Sequence, residues 1–164
     1  MPTRLLRHLF TPDARGQFPA TDMQRIAGAI GDGERRHCGE VCFAVESALP
    51  WRDVVRGVQA QAKAEDAFAR LRVWDTGANN GVLIYFLLAD HRIEIVADRG
   101  LRGLVSDEQW RGVCQLLEER LRSGDHADAV LAAIDAVSTL LAAHFPRLPG
   151  DMDEDELPDQ PVFL

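Results

Sequence analysis

A chain of 164 residues is long enough for one domain with a substantial buried core. Hydrophobic residues at 46% and charged residues at 27% are those of an ordinary soluble globular protein. The formal net charge of −8 argues against a nucleic-acid partner, which would require a basic face against phosphates.

Leu5, Leu6, Leu9 and Phe10 recur at helical spacing and predict a short amphipathic helix. Pro12, Gly16 and Pro19 break the chain after it. Thr21 is placed to cap a helix over residues 22–36, with Met23, Ile26, Ala27 and Ile30 on one face. Gly31 and Gly33 predict fraying or a kink in its second half. Residues 40–46 alternate as a strand, with Val41, Phe43 and Val45 on one face. A long helix is expected next, over residues 51–72. The run 82–89 is apolar on both faces, which predicts a central strand covered by helices on each side. Asp90-His91 reads as a short reversal into an antiparallel strand. If those two residues alone form the loop, Leu83 lies opposite Asp98 and Gly81 opposite Gly100. Ser106-Asp107-Glu108-Gln109 is a capping box opening a helix to about Arg122. Gly124 breaks it, and Asp125 or a neighbour starts a last helix to about His144.

The order α-α-β-α-β-β-α-α, with a long crossover between the first two strands, predicts that these strands are parallel. The fold class that follows is α/β: a three-layer α/β/α sandwich with a small mixed sheet that includes an antiparallel hairpin. The expected divisions are an N-terminal helix and linker (1–20), a central domain (21–148) and an acidic tail (149–164). Such a tail is usually mobile, although Val162, Phe163 and Leu164 offer an apolar end that could dock. Cys38, Cys42 and Cys114 are odd in number and lack metal-ligand spacing, so neither a disulfide framework nor structural zinc is expected. Cys42 reads as a core residue, and Cys38 and Cys114 as surface thiols. The N-terminus lacks a signal pattern, and no stretch reads as a membrane span of roughly 20 apolar residues. The expectation is a reduced, cytoplasmic protein.

Asn80-Gly81-Val82-Leu83-Ile84, the strand after it and Asp98-Arg99-Gly100 resemble the TPM domain family. His37, Gly39 and Glu40 match a His-x-Gly-Glu pattern of its short, soluble bacterial branch, with Glu46 closing the strand. Trp110, Gly124, His144-Phe145-Pro146 and the tail 156–164 also look like that branch. The resemblance implies an α/β/α sandwich. It also implies a range of roles: proposed acid phosphatases, divalent-cation binders, and accessory factors of membrane complexes. A LemA-like membrane protein is the partner it implies by analogy.

If the first two strands are parallel, Glu40 and His37 come to the sheet end that holds Asn79, Asn80 and Asp98. Asp75 enters through the preceding loop. Asp75, Asn79, Asn80, Asp98 and Glu40 together supply the oxygen ligands that Ca²⁺ or Mg²⁺ requires. Asn79-Asn80-Gly81 reads equally as plain turn chemistry, because Asn and Gly tolerate positive φ. His37 is a candidate general base or metal ligand, or a side chain that binds carbonyls at a helix end. Glu40 and Glu46 lie too far apart along one strand to act as an acid/base pair, and each is expected to pair with Arg or lie near an exposed margin. Asp98-Arg99 reads as a salt bridge. P-loop and serine-hydrolase elbow motifs are absent. The expected function is a partner-binding or accessory module with a weak cation site. A metal-assisted phosphatase using the same acidic cluster is the alternative.

Overall fold

The apolar run after Asn80 lies at the centre of the sheet. In the computed structural model, which describes residues 2–122, 124–152 and 156–164, it forms β2 (Gly81–Leu87), with every residue buried. Before it come α1 (Pro2–Phe10), α2 (Ala14–Gln17), α3 (Ala20–Glu34), β1 (Glu40–Glu46), α4 (Trp51–Val55) and α5 (Ala60–Arg70). After it come β3 (Arg92–Ala97), α6 (Asp107–Arg122), α7 (His126–His144) and β4 (Val162–Phe163). The sheet order is β3-β2-β1-β4. β1 is parallel to β2, and β3 is antiparallel to it. The fold is therefore the expected α/β arrangement with a mixed sheet.

Strand alternation sorts the side chains into two layers. Val41, Phe43, Val45, Val82, Ile84 and Phe86 pack against the layer that includes Ile26, Ile30, Val113, Leu117, Val130, Ile134 and Val137. Cys42, Ala44, Leu83, Tyr85 and Leu87 pack against Val54, Ala60, Ala64 and Ala67. Each large apolar side chain buried this way contributes about 1.5–3 kcal/mol. The Ser106 box forms as read: the Ser106 amide donates to Gln109 Oε1 (2.9 Å), and the Gln109 amide donates to Ser106 Oγ (3.2 Å). Asp125 caps α7 by accepting from the Asp128 amide.

Several boundaries differ from expectation. Pro19, not Thr21, precedes the first turn of α3, which runs unbroken through Gly31 and Gly33 to Glu34. The long helix over 51–72 is two helices, because the chain turns at Gly57 with φ 76°. The reversal after β2 is longer than two residues: Leu88–Asp90 make a 3₁₀ turn, and His91 is left-handed with φ 50°. Leu83 therefore faces Val96, not Asp98. The slip is by two residues, so every side chain keeps its face. α7 is a helix of 19 residues that is long and apolar enough to span a membrane by length and composition, contrary to the sequence expectation. Here Val130, Ile134, Val137 and Leu141 of that helix are core residues.

The tail docks. Val162 and Phe163 pair with Ala44 and Val45, and the Leu164 amide donates to the Val45 carbonyl (2.9 Å). This covers the outer edge of β1, which would otherwise offer unpaired backbone groups. Residues 153–155, part of the acidic run expected to be mobile, lie outside the described residues.

Candidate functional site

The end of the sheet where β2 begins is built by two turns pressed backbone to backbone. Asn79 is left-handed (φ 52°), and the Asn80 amide is bound by Thr76 Oγ1 (3.1 Å). A side chain at Gly81 would put its Cβ 2.0 Å from the Val73 carbonyl oxygen, and one at Gly100 would lie 2.4 Å from that of Asn79. Only glycine permits both approaches. The Asp98 amide donates to Gly81 O (2.9 Å) and the Gly100 amide to Asn79 O (2.8 Å). The expected neighbourhood of the Asn-Asn-Gly turn and the β3 exit is therefore present, through Gly81–Asp98 contact instead of Gly81–Gly100.

Asp98 Oδ1 accepts from the Arg99 amide (2.7 Å), and Arg99 Nε donates to Asn79 Oδ1 (2.9 Å). Arg99 thus links the two turns, where the sequence suggested an Asp98–Arg99 salt bridge. Asn80 is buried, and its Nδ2 donates to the Cys38 carbonyl (2.8 Å), tying this turn to the entry of β1. Asn80 Oδ1 and Asp98 Oδ2 are buried oxygens without a hydrogen-bond partner among the described residues. Asp98 and Arg99 also line a cleft of about 220 Å³ with Leu101, Arg102 and Trp110.

Of the five residues expected as cation ligands, Asp75 and Glu40 are each held by another group. Asn79, Asn80 and Asp98 share the two turns. Asp75 is held by Arg72 in an ion pair. Glu40 comes to the same end, paired with Gly81, but its carboxylate turns to the tail and accepts from the amides of Glu156 (3.4 Å) and Leu157 (3.3 Å). Among the described residues, no group of three or more His, Cys, Asp and Glu side chains is arranged to hold a metal ion.

Two acids that the sequence reading did not single out complete the tail's seat. Glu34 Oε1 accepts from the Val41 amide (3.3 Å). Burial, the nearby charge of Glu40 and a bond to Asp159 push the Glu34 carboxyl up to about 9. At neutral pH Glu34 is therefore protonated and able to donate to Asp159. No local pattern marks this pair, because the tail must fold back before the two meet.

His37 is fully buried, and its Nδ1 is 2.9 Å from the Gly39 carbonyl. Burial pulls its pKa down to about 4, so it is a neutral scaffold residue at physiological pH. Among the described residues Glu46 pairs with no Arg: its Oε2 accepts from the Tyr85 hydroxyl (2.5 Å), and Lys63 lies 3.9 Å from its other oxygen. None of the three cysteines forms a disulfide among the described residues. Cys42 is buried and Cys38 and Cys114 are half-buried, and burial pushes Cys42 and Cys114 up to about 11.

The fold and this pair of turns define a small α/β/α sandwich domain without a His, Cys, Asp and Glu metal cluster among the described residues. The TPM domain matches residues 12–140, and the chain belongs to that family. No curated protein matches it. The solved structure of BA42 from the psychrophilic bacterium Bizionia argentinensis is similar, with TM-score 0.78 and 27% identity over 89% of this chain and 94% of that one. An N-terminal domain from P. gingivalis shares the fold at TM-score 0.63 and 19% identity, covering 81% of this chain and 82% of that one. An N-terminal domain from Corynebacterium glutamicum does so at TM-score 0.58 and 15% identity, covering 87% and 84%.

Proposed function

We propose that this TPM domain is a non-catalytic binding module, a cytoplasmic accessory to a membrane-protein system, in which the Asn79–Asn80–Asp98 turns bind a divalent cation weakly. The supporting observation is the pair of buried acceptor oxygens, Asn80 Oδ1 and Asp98 Oδ2, left without donors at one end of the sheet. Buried acceptors without partners are costly, and a hard cation satisfies oxygens of this type. Arg99 holds Asn79 Oδ1, so ion binding there competes with a guanidinium and is weak. A LemA-like membrane protein is the partner suggested by the family resemblance.

Thermal melts of the full chain with Ca²⁺, Mg²⁺ or Mn²⁺ test the cation. At an ion concentration about ten times the dissociation constant, linkage gives roughly 1.4 kcal/mol. That raises the midpoint by about 3–5 °C for a domain of this size. Asp98→Asn is expected to abolish the rise, and no rise at millimolar ion sinks the cation site. An assay on p-nitrophenyl phosphate with the same ions tests the non-catalytic reading. Turnover that Asp98→Asn removes would overturn it.

A further inference from the structure

Helix α1 is amphipathic, and Leu5 packs on the domain while its other large apolar side chains face outward. Arg4 Nε and Nη2 both reach Asp90 Oδ2 (3.1 and 2.7 Å), and Nη2 also donates to the Val58 carbonyl (2.8 Å). His8 is buried. Its Nδ1 accepts from the Leu49 amide (2.9 Å), so the proton is on Nε2, which donates to Asp90 Oδ1 (3.1 Å). The polar side of the helix is therefore fastened to the domain at several points. The cost is that Leu6, Leu9 and Phe10 stand 53%, 59% and 79% exposed.

The neighbouring helix repeats the pattern. α1 packs on α4, where Trp51 and Val55 are 58% and 54% exposed while Val54 is buried. Single exposed apolar residues need no explanation, but five on two adjacent short helices form a surface that calls for a partner. The charge around it runs against that of the chain. α1, α4 and the α4 cap residue Arg56 carry four arginines and one aspartate, in a protein of net charge −8, and of these Arg4 and Arg7 pair with Asp90. Asp53, the aspartate, is drawn to Lys63 (4.0 Å). The Arg52 guanidinium lies 5.5 Å from the Trp51 ring centre.

Leu, Phe and Trp at the level of exposed Arg is the composition that seats a helix in the headgroup boundary of an anionic bilayer. We propose that the α1–α4 face rests on an anionic phospholipid surface, with Leu6, Leu9, Phe10 and Trp51 in the acyl boundary and Arg52 and Arg56 on lipid phosphates. This contact is separate from the cation site: it uses the helices before β2 and does not require Asp98.

Vesicle co-sedimentation of the full chain tests it, with phosphatidylcholine alone and with added phosphatidylglycerol. Binding is expected only with the anionic lipid, and it is expected to weaken with salt. Two variants are needed. Leu9→Ser/Phe10→Ser removes apolar contact without touching the Arg4–His8–Asp90 anchor. Arg52→Glu/Arg56→Glu reverses the rim charge and remains informative if the first variant fails to fold. Each folded variant is expected to lose roughly tenfold or more in vesicle binding, while Asp98→Asn binds as wild type. Absence of binding to anionic vesicles, or binding that neither variant changes, overturns the proposal. So does a dimer by gel filtration that the Leu9→Ser/Phe10→Ser variant dissolves, which would assign the face to a second copy of the chain.

Discussion

Gly81 sets the geometry of the site. A methyl group there meets the Val73 carbonyl oxygen at 2.0 Å, and backbone cannot yield as a flexible side chain can. Gly81→Ala is expected to destabilise the domain by about 3 kcal/mol or more, by the mechanism of overpacking. Gly112→Ala, in α6 with open space around its Cβ, is the control and is expected to stabilise by about 0.5–1 kcal/mol through helix propensity. Urea denaturation of both variants reads the difference, and a Gly81→Ala as stable as wild type would show that the two turns can separate. The Asn-Asn-Gly signal and the approach of Asp98 were legible in the sequence because both depend on local turn chemistry and a hairpin. The destinations of the carboxylates were not. Glu40 was assigned to a cation, but it binds tail amides, and Asp75 turns to Arg72 three residues before it. Strand register places a residue at a sheet end, whereas a side chain's partner depends on what the rest of the chain brings there.

The elements follow the same division. β1, β2, α6 and α7 were legible because each has an unbroken pattern or a cap chemistry of its own. The break at Gly57 and the four-residue reversal were not, since apolar periodicity continues across both. The docked tail was open in the sequence because its strand is two residues long, too short for a periodic signal. Its attachment is substantial: Leu157 is buried, the Glu156 and Leu157 amides serve Glu40, and β4 closes the edge of β1. Removing residues 156–164 deletes that burial and leaves the Glu40 carboxylate without its amide donors. A loss of about 3–5 kcal/mol is expected from the apolar contacts and the charged hydrogen bonds together. A thermal melt checks it, and an unchanged midpoint would mean that the tail is dispensable to the fold.

At the scale of the whole molecule, two buried groups with opposite protonation habits shape stability against pH. Folded Glu34 keeps its proton up to about 9, whereas the ordinary value is 4.5. Between those limits the folded chain holds a proton that the unfolded chain has released, so this group weakens the fold as pH rises. His37 is the reverse. Folded, it stays neutral down to about 4, while the unfolded imidazole charges below 6.5, so this group weakens the fold as pH falls. From 4.5 to 6.5 the two slopes have equal and opposite sign and cancel. Below that window Asp90 adds to the acid loss. Burial favours its protonated form, but Arg4 and His8 outweigh it and hold the carboxyl below its ordinary value. Above 6.5 only Glu34 of these groups still titrates, and Cys42 and Cys114, pushed up to about 11, join only beyond its range. His126, lowered by burial, and Glu94, raised by it, act in the same two directions as His37 and Glu34. The midpoint of thermal unfolding is therefore expected to be flat on the acid side of neutrality and to decline steadily from about pH 6.5 toward pH 9. Glu34→Gln keeps a donor toward Asp159 without an ionisable proton, so it is expected to flatten most of the alkaline decline and to unmask the His37 loss as a midpoint that falls from pH 6.5 toward 4.5. Melts of wild type and variant across this range decide it, and an alkaline decline that persists undiminished in Glu34→Gln would show that the carboxyl group beneath the tail does not govern it.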